Sequence, residues 1–192
     1  MELIFATANI HKCREAQAIL GPSVSIIMPS QLHFTQEIPE TGVTLKENAL
    51  QKACFIWEIF RRPCFADDTG LEVDALDGAP GVYSARYAGE HCTPRDNVQK
   101  LLREMDGIND RTARFRCVIA VHTGSEPLFF EGTVEGSITC TPAGDKGFGY
   151  DPVFVPLGYT KTFAQLNAAE KNRISHRGRA LANMAAGIYR LP

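Results

Sequence analysis

The chain has no apolar run near the ~20 residues that a membrane-spanning helix needs. It has no excess of either charge. The formal net charge is −2, so no global basic field points to nucleic acid or to an anionic membrane. Any phosphate site must therefore be local. None of the six cysteines (Cys13, Cys54, Cys64, Cys92, Cys117, Cys140) forms a Cys-x-x-Cys pair, which excludes the common zinc and dithiol motifs. Most lie in apolar stretches and are expected to be reduced and structural. There is no internal repeat, no low-complexity tract, no Gly/Ser linker and no Walker phosphate-loop pattern. Met1-Glu2 leads straight into Leu3 to Ala6, without the basic flank and long apolar region of a secretion signal, so a cytoplasmic protein is expected.

What is present is ordinary for a globular chain: 192 residues, 44% hydrophobic and 22% charged. That length supports one sizeable core, or two small lobes sharing it. Leu3 to Ala6 reads as a strand and Lys12 to Leu20 as a helix stopped by Gly21-Pro22. Val24 to Met28 reads as a strand. Thr44 to Glu47 is a capping box that opens a helix to about Arg61. Cys64 to Ala66 and Leu71 to Val73 read as short strands. Thr93-Pro94 starts another helix, with Gly107 as its stop. Ala113 to Val121 alternates with period two and reads as a half-buried strand, with Leu128 to Phe130 and Val134 to Ile138 as antiparallel neighbours. Val153 to Val155 is a further strand, and 177–189 a closing helix. The order predicts an α/β fold: a mixed β-sheet with flanking helices and an antiparallel-rich second lobe.

The adjacent carboxylates Asp67-Asp68 stand out. They follow an apolar strand and precede Thr69-Gly70. Asp-Asp-x-Gly is good turn chemistry, yet two adjacent carboxylates are also tolerable where a cation lies beside them. Both readings are open on this pair alone. Four further segments carry polar chemistry. Thr7-Ala8-Asn9-Ile10-His11-Lys12 joins a strand to a helix, where free backbone N–H groups favour an anion, although Asn9 also fits a plain N-cap. Glu40-Thr41-Gly42 precedes Asn48 and Lys52, which share one helical face; taken alone, that face reads as solvated. Gly78 to Tyr87 is a structured loop in which Arg86 meets either phosphate or water. Phe148 sits between two glycines, which suits a stacking platform for a base as well as a core aromatic. Ser175 reads as an N-cap, which would leave the donors of His176 and Arg177 exposed in the first helical turn.

Together the ordered motifs Thr7-x-Asn9-x-x-Lys12, Glu40-Thr41-Gly42, Glu47-Asn48-Ala49-x-x-Lys52-Ala53, Ala66-Asp67-Asp68-Thr69-Gly70-Leu71, Gly78-Ala79-Pro80-Gly81, Tyr83-Ser84-Ala85-Arg86, Phe148-Gly149-Tyr150-Asp151-Pro152 and Ile174-Ser175-His176-Arg177-Gly178 resemble the inosine triphosphate pyrophosphatase family. Thr69 stands where the family often has Ser, and Ala8 where many members have Gly. The resemblance spans Phe5 to about Ala180. It implies a single nucleotide-hydrolysing domain over 1–192, elongated, with two lobes around a central cleft, and a homodimer. It implies Mg²⁺-dependent cleavage of inosine, deoxyinosine and xanthosine triphosphates to monophosphate and pyrophosphate. Asp68 would be the catalytic carboxylate and, with Glu40, the metal-linked one; Asp67 would support it at the cleft rim. Thr7, Ala8, Asn9, Ile10, His11, Lys12, Lys52, Thr69 and Lys171 would hold the triphosphate. Phe148, Gly149, Tyr150, Asp151, His176 and Arg177 would hold the base.

The chemistry is coherent. Lys12, Lys52, Lys171, Arg177 and Mg²⁺ would meet the phosphate charge locally. Water activated with help from Asp68 would attack the α-phosphorus. Donors aimed at purine position 6 would accept a carbonyl and reject the adenine amino group. A nucleotide sensor without hydrolysis would not need Glu40 and Asp68 together. A single-stranded nucleic-acid binder would need a basic stripe that the net charge does not encourage.

Overall fold

A computed structural model describes residues 1–188; Tyr189, the expected last residue of the closing helix, lies outside them. The strands are β1 (Glu2–Phe5), β2 (Ser25–Ile27), β3 (Cys64–Val73), β4 (Pro80–Gly81), β5 (Thr112–His122), β6 (Leu128–Ile138) and β7 (Phe154–Pro156). The helices are α1 (Ile10–Leu20), α2 (Leu45–Phe60), α3 (Pro94–Glu104), α4 (Ala168–Ile174) and α5 (His176–Ile188), joined in places by short 3-10 turns. None is long and apolar enough to cross a membrane among the described residues. The mixed α/β class is as expected.

The chain forms two compact units, and β3, β5 and β6 each contribute to both. The first holds 1–68, 117–132 and the described part of the C-terminus from His176. Its strand order is β2-β1-β3-β5-β6, with β1 parallel to both of its neighbours. Ala16 and Leu20 of α1 pack with Leu181, Met184 and Ile188 of α5 over Leu3, Phe5, Phe65 and Ile119. The rings of Phe5 and Phe65 stack at 4.3 Å. Ala49, Ala53 and Ile56 of α2 are fully buried, and the Cys64 thiol, on β3, donates to the Ala53 carbonyl. Helices thus cover both faces here. That is why Val118 and Ala120 are buried along with Cys117, Ile119 and Val121, and the expected half-buried alternation of β5 fails from Cys117 onward.

The second unit holds 69–116 and 133–175. Its order is β3-β5-β6-β7, with β4 antiparallel on β3 and β7 antiparallel on β6. Here the alternation holds. Ala113 and Phe115 enter a core with Leu71, Val73, Leu101, Met105, Phe154 and Phe163, while Arg114 reaches outward to Asp74 and Glu135. The expected capping box forms at Thr44/Glu47, and Thr93 with Asp96 makes a second one at the start of α3. Two expected strand pairs are single strands. β3 runs unbroken through Asp67 to Gly70, and β6 through Glu131 to Thr133.

Arg111 ties the end of α3 to the end of β6. Its guanidinium donates to the carbonyls of Met105, Ile108, Ile138 and Thr139. Arg111→Ala leaves these acceptors to water or unsatisfied. The expected cost is about 2–3 kcal/mol, a fall in Tm of about 4–12 °C by calorimetry.

Candidate functional site

Successive side chains on a strand point to opposite faces. Because β3 continues through both carboxylates, Asp67 shares the face of Phe65, under α1 and α5, and Asp68 shares the face of Cys64, under α2. The turn reading is thereby corrected, and so is the rim position of Asp67, which is only 1% exposed. Propensity disfavours Asp-Asp-Thr-Gly as a strand; charges brought in from three helices override it.

Asp67 sits in a cationic cage. Lys12 Nζ approaches Oδ1 at 2.8 Å and Arg177 Nε approaches Oδ2 at 2.9 Å. Arg177 also donates from Nη1 to Glu15 at 2.6 Å. Burial opposes the charge of Asp67, but Lys12, Arg177 and Lys52 outweigh it and hold its carboxyl far below the usual carboxylate range. Burial likewise opposes the charge of Arg177, and Asp67 and Glu15 reverse the outcome and raise it. The expectation of exposed donors at the start of α5 is corrected: His176 and Arg177 are buried. Gly132 lets α5 come this close, since a Cβ there would overlap the His176 carbonyl and the Ala180 amide.

Asp68 has the opposite electrostatics. Lys52 Nζ lies 3.3 Å from Oδ1 and also pairs with Glu40; Asn48 Nδ2 donates to Oδ2 at 3.1 Å. Burial raises the Asp68 carboxyl, with Glu40 adding to it against Lys52 and Lys12. Lys52 is raised: burial opposes its charge, and Asp68, Glu40 and Asp67 prevail. The solvated reading of this helical face is overturned, since Asn48 is 0% and Lys52 4% exposed. The Glu40-Thr41-Gly42 segment is pinned to α2. The Gly42 N–H donates to Asn48, the Thr41 N–H to Gln51, and the Val43 and Thr44 N–H groups to Glu47. Asn48 therefore links this segment to the carboxylate of Asp68.

In the turn before α1, Thr7 Oγ1 accepts from the Asn9 N–H, and Asn9 caps the helix by accepting from the N–H groups of His11 and Lys12. Ala8, Ile10 and His11 are exposed; Thr7 and Thr69 are half-buried.

The second unit builds a separate cluster. Asp151 Oδ2 accepts from the Phe148 N–H at 2.8 Å and from Lys171 Nζ at 2.6 Å. Gly147 (φ +72°) is required here, because a Cβ would overlap the Asp151 carboxylate. Lys171 Nζ lies 4.9 Å from the centroid of the half-buried Phe148 ring. Tyr150 is buried, and its hydroxyl donates to the Ser84 carbonyl. Ser84 Oγ in turn accepts from the Leu71 N–H and donates to the Gly81 carbonyl. The Gly78 to Arg86 motif is thus the anchor of the Phe148 loop. Arg86 lies over the Tyr83 ring. Phe148 also borders a cavity of about 640 Å³, with Val98, Gln99 and Leu102 of α3 along its wall.

Sequence reasoning missed Glu15 as the partner of Arg177 and Asn48 as a holder of Asp68. Glu15 follows Lys12 by one helical turn, which is a usable signal; its pairing with Arg177, 162 positions away, has none.

All six cysteines are free; Cys64 and Cys117 are buried, and burial pushes the Cys64 thiol up to about 12, as for a structural thiol, whereas Cys140 is exposed. The Ham1 family profile matches residues 3–187. A dITP/XTP pyrophosphatase of Porphyromonas gingivalis is 50% identical over 184 residues, 95% of each chain. One from Flavobacterium psychrophilum is 46% identical over 180 residues, 94% of this chain and 95% of its own. The solved structure of a HAM1 protein from Coxiella burnetii superposes with a TM-score of 0.90 at 38% identity, covering 100% of both chains. With the motifs in order and the fold shared along its whole length, this chain belongs to the Ham1 family.

Proposed function

We propose that the chain hydrolyses deoxyinosine, inosine and xanthosine triphosphates to the monophosphate and pyrophosphate, clearing non-canonical purines from the nucleotide pool. The same reading has it working as a cytoplasmic homodimer. The observation that carries it is the division of labour on β3: Asp67 is neutralised by its cage, while Asp68 is left with a raised carboxyl beside Lys52. A raised carboxylate is the better proton acceptor near neutral pH. Asp68 takes the proton of the attacking water, held in place by Asn48 and Lys52. Lys12, Lys52 and Thr69, with the turn from Thr7, face the triphosphate. Phe148 to Asp151 hold the base, and His176 and Arg177 are assigned to its six-oxo edge.

The residues fit a magnesium ion. Among the side chains of the first unit's cluster, Lys12, Lys52 and Arg177 stand against Glu15, Glu40, Asp67 and Asp68, a formal charge of −1. An added cation would offset the repulsion between that cluster and a triphosphate. No group of three or more His, Cys, Asp or Glu able to hold a metal occurs among the described residues. An ion that takes one or two carboxylates and completes its shell with water and phosphate oxygens does not require such a group. Glu40 and Asp68 would hold it, and it would supply positive charge to the phosphates.

Purified protein with Mg²⁺ is expected to release pyrophosphate from inosine, deoxyinosine and xanthosine triphosphates at least about 10²-fold faster than from adenosine triphosphate. Release of orthophosphate instead, or equal rates across the panel, would remove the assignment.

A further inference from the structure

The resemblance groups Lys171 with the phosphates, but its surroundings point elsewhere. Its ammonium pairs with Asp151 at 2.6 Å and lies 4.9 Å from the Phe148 centroid and 5.8 Å from that of Phe163. Phe163 is fully buried, packed with Phe115 and Phe154. Lys171 therefore lies within reach of two rings, the fully buried Phe163 and the half-buried Phe148. Asp151 holds the same arrangement from two sides, since one carboxylate oxygen accepts both the Lys171 ammonium and the Phe148 N–H.

We propose that Lys171 is a positioning and specificity residue that acts through Phe148, making the ring a preferred platform for an anionic purine, the ionised base of xanthosine. This rests on the reading above that Phe148 stacks the base. A cation within about 6 Å of an aromatic face is attracted to the π-electrons. It draws them toward itself, so the opposite face repels an electron-rich or anionic partner less. The hypoxanthine base of inosine is neutral at pH 7, whereas the xanthine base of xanthosine loses a proton near neutrality. An ammonium behind the platform therefore separates two substrates that share a six-oxo edge.

Among the described residues, the charged groups near the ring include Lys171 and Asp151, with Arg95, Asp145 and Lys146 along the cavity it borders. None is a histidine or a thiol, so none supplies an ordinary titration between pH 5 and 8. Effects on the chemical step shared by both substrates cancel in their ratio.

The test is a parallel determination of kcat and KM for xanthosine and inosine triphosphates from pH 5 to 8. In the unaltered protein the KM for inosine triphosphate divided by that for xanthosine triphosphate should rise about threefold to tenfold with pH. Lys171→Met should flatten that rise, and Lys171→Arg should restore it, since a guanidinium also stacks on aromatic faces. The double variant Lys171→Met/Asp151→Asn avoids a buried unpaired carboxylate and should be flat as well. A flat ratio in the unaltered protein, or a Lys171→Met variant that keeps the slope while losing kcat equally on both substrates, overturns the proposal. Phe148→Ala separates the two layers: if it leaves both KM values unchanged, stacking on Phe148 is itself wrong; if it raises both while Lys171→Met keeps the slope, only the role of Lys171 falls.

Discussion

Asp68→Asn will cut pyrophosphate release from inosine triphosphate by about 10²–10⁴-fold, the usual contribution of a positioned general base, while the protein stays folded. The amide keeps the shape and its oxygen can still accept from Lys52 or from Asn48, while Lys52 keeps its pairing with Glu40, but it cannot take a proton. The stability side has a definite sign. The folded carboxyl is raised, chiefly by burial. A raised aspartate binds its proton more tightly folded than unfolded, so stability falls as the pH climbs from the unfolded value through the folded one. At neutral pH the ionised Asp68 is therefore a net cost to the fold, the attraction to Lys52 being smaller than the penalty of burial. Thermal melts at pH 7 should place the Tm of the variant within a few degrees of the unaltered protein. A variant that keeps near-full turnover would end the assignment of Asp68.

Asp67→Asn is expected to do the reverse. It leaves Lys12 and Arg177 at a site where both had been compensated, and removing one partner of a buried ion pair costs about 3–5 kcal/mol. For a chain of this size that is about 6–20 °C in Tm. The pH dependence identifies the cause. The folded carboxyl is lowered, because Lys12, Arg177 and Lys52 overcome the burial that opposes its charge. Its contribution is thus fully present above the unfolded value of about 4 and is lost as the pH falls toward the folded one. Chemical denaturation at pH 7 should show the full gap between variant and unaltered protein, and the gap should narrow in strong acid. A constant gap would assign the loss to packing rather than charge.

Much of the scaffold was legible because its signals are local. Thr44 with Glu47 and Thr93 with Asp96 announce their helices within four residues. Asn9 does the same for α1, which starts two residues before the apolar pattern indicated. The identities of Lys12, Glu40, Lys52, Asp68 and Phe148 were legible only as an ordered set, since each alone has an ordinary structural explanation. Their partners were not legible. Asp67 meets Arg177 across 110 positions and Lys12 across 55, and no pattern in either segment specifies the pairing. The Asp67 to Gly70 stretch was misread for the same reason: its local chemistry says turn, and distant charges make it strand. Lys171 was placed by resemblance alone, while its geometry is set by Asp151 and two phenylalanines.

The alternation of β3 also constrains how this protein can change in length. The roles of Asp67 and Asp68 depend on odd and even positions along one strand. A single residue gained or lost between Phe65 and Asp67 would turn Asp67 toward α2 and Asp68 toward the cations of α1 and α5, exchanging the inert carboxylate for the reactive one. Parity is what the two roles require of this strand: a change of one residue within it exchanges them, whereas a change beyond its two ends leaves them in place.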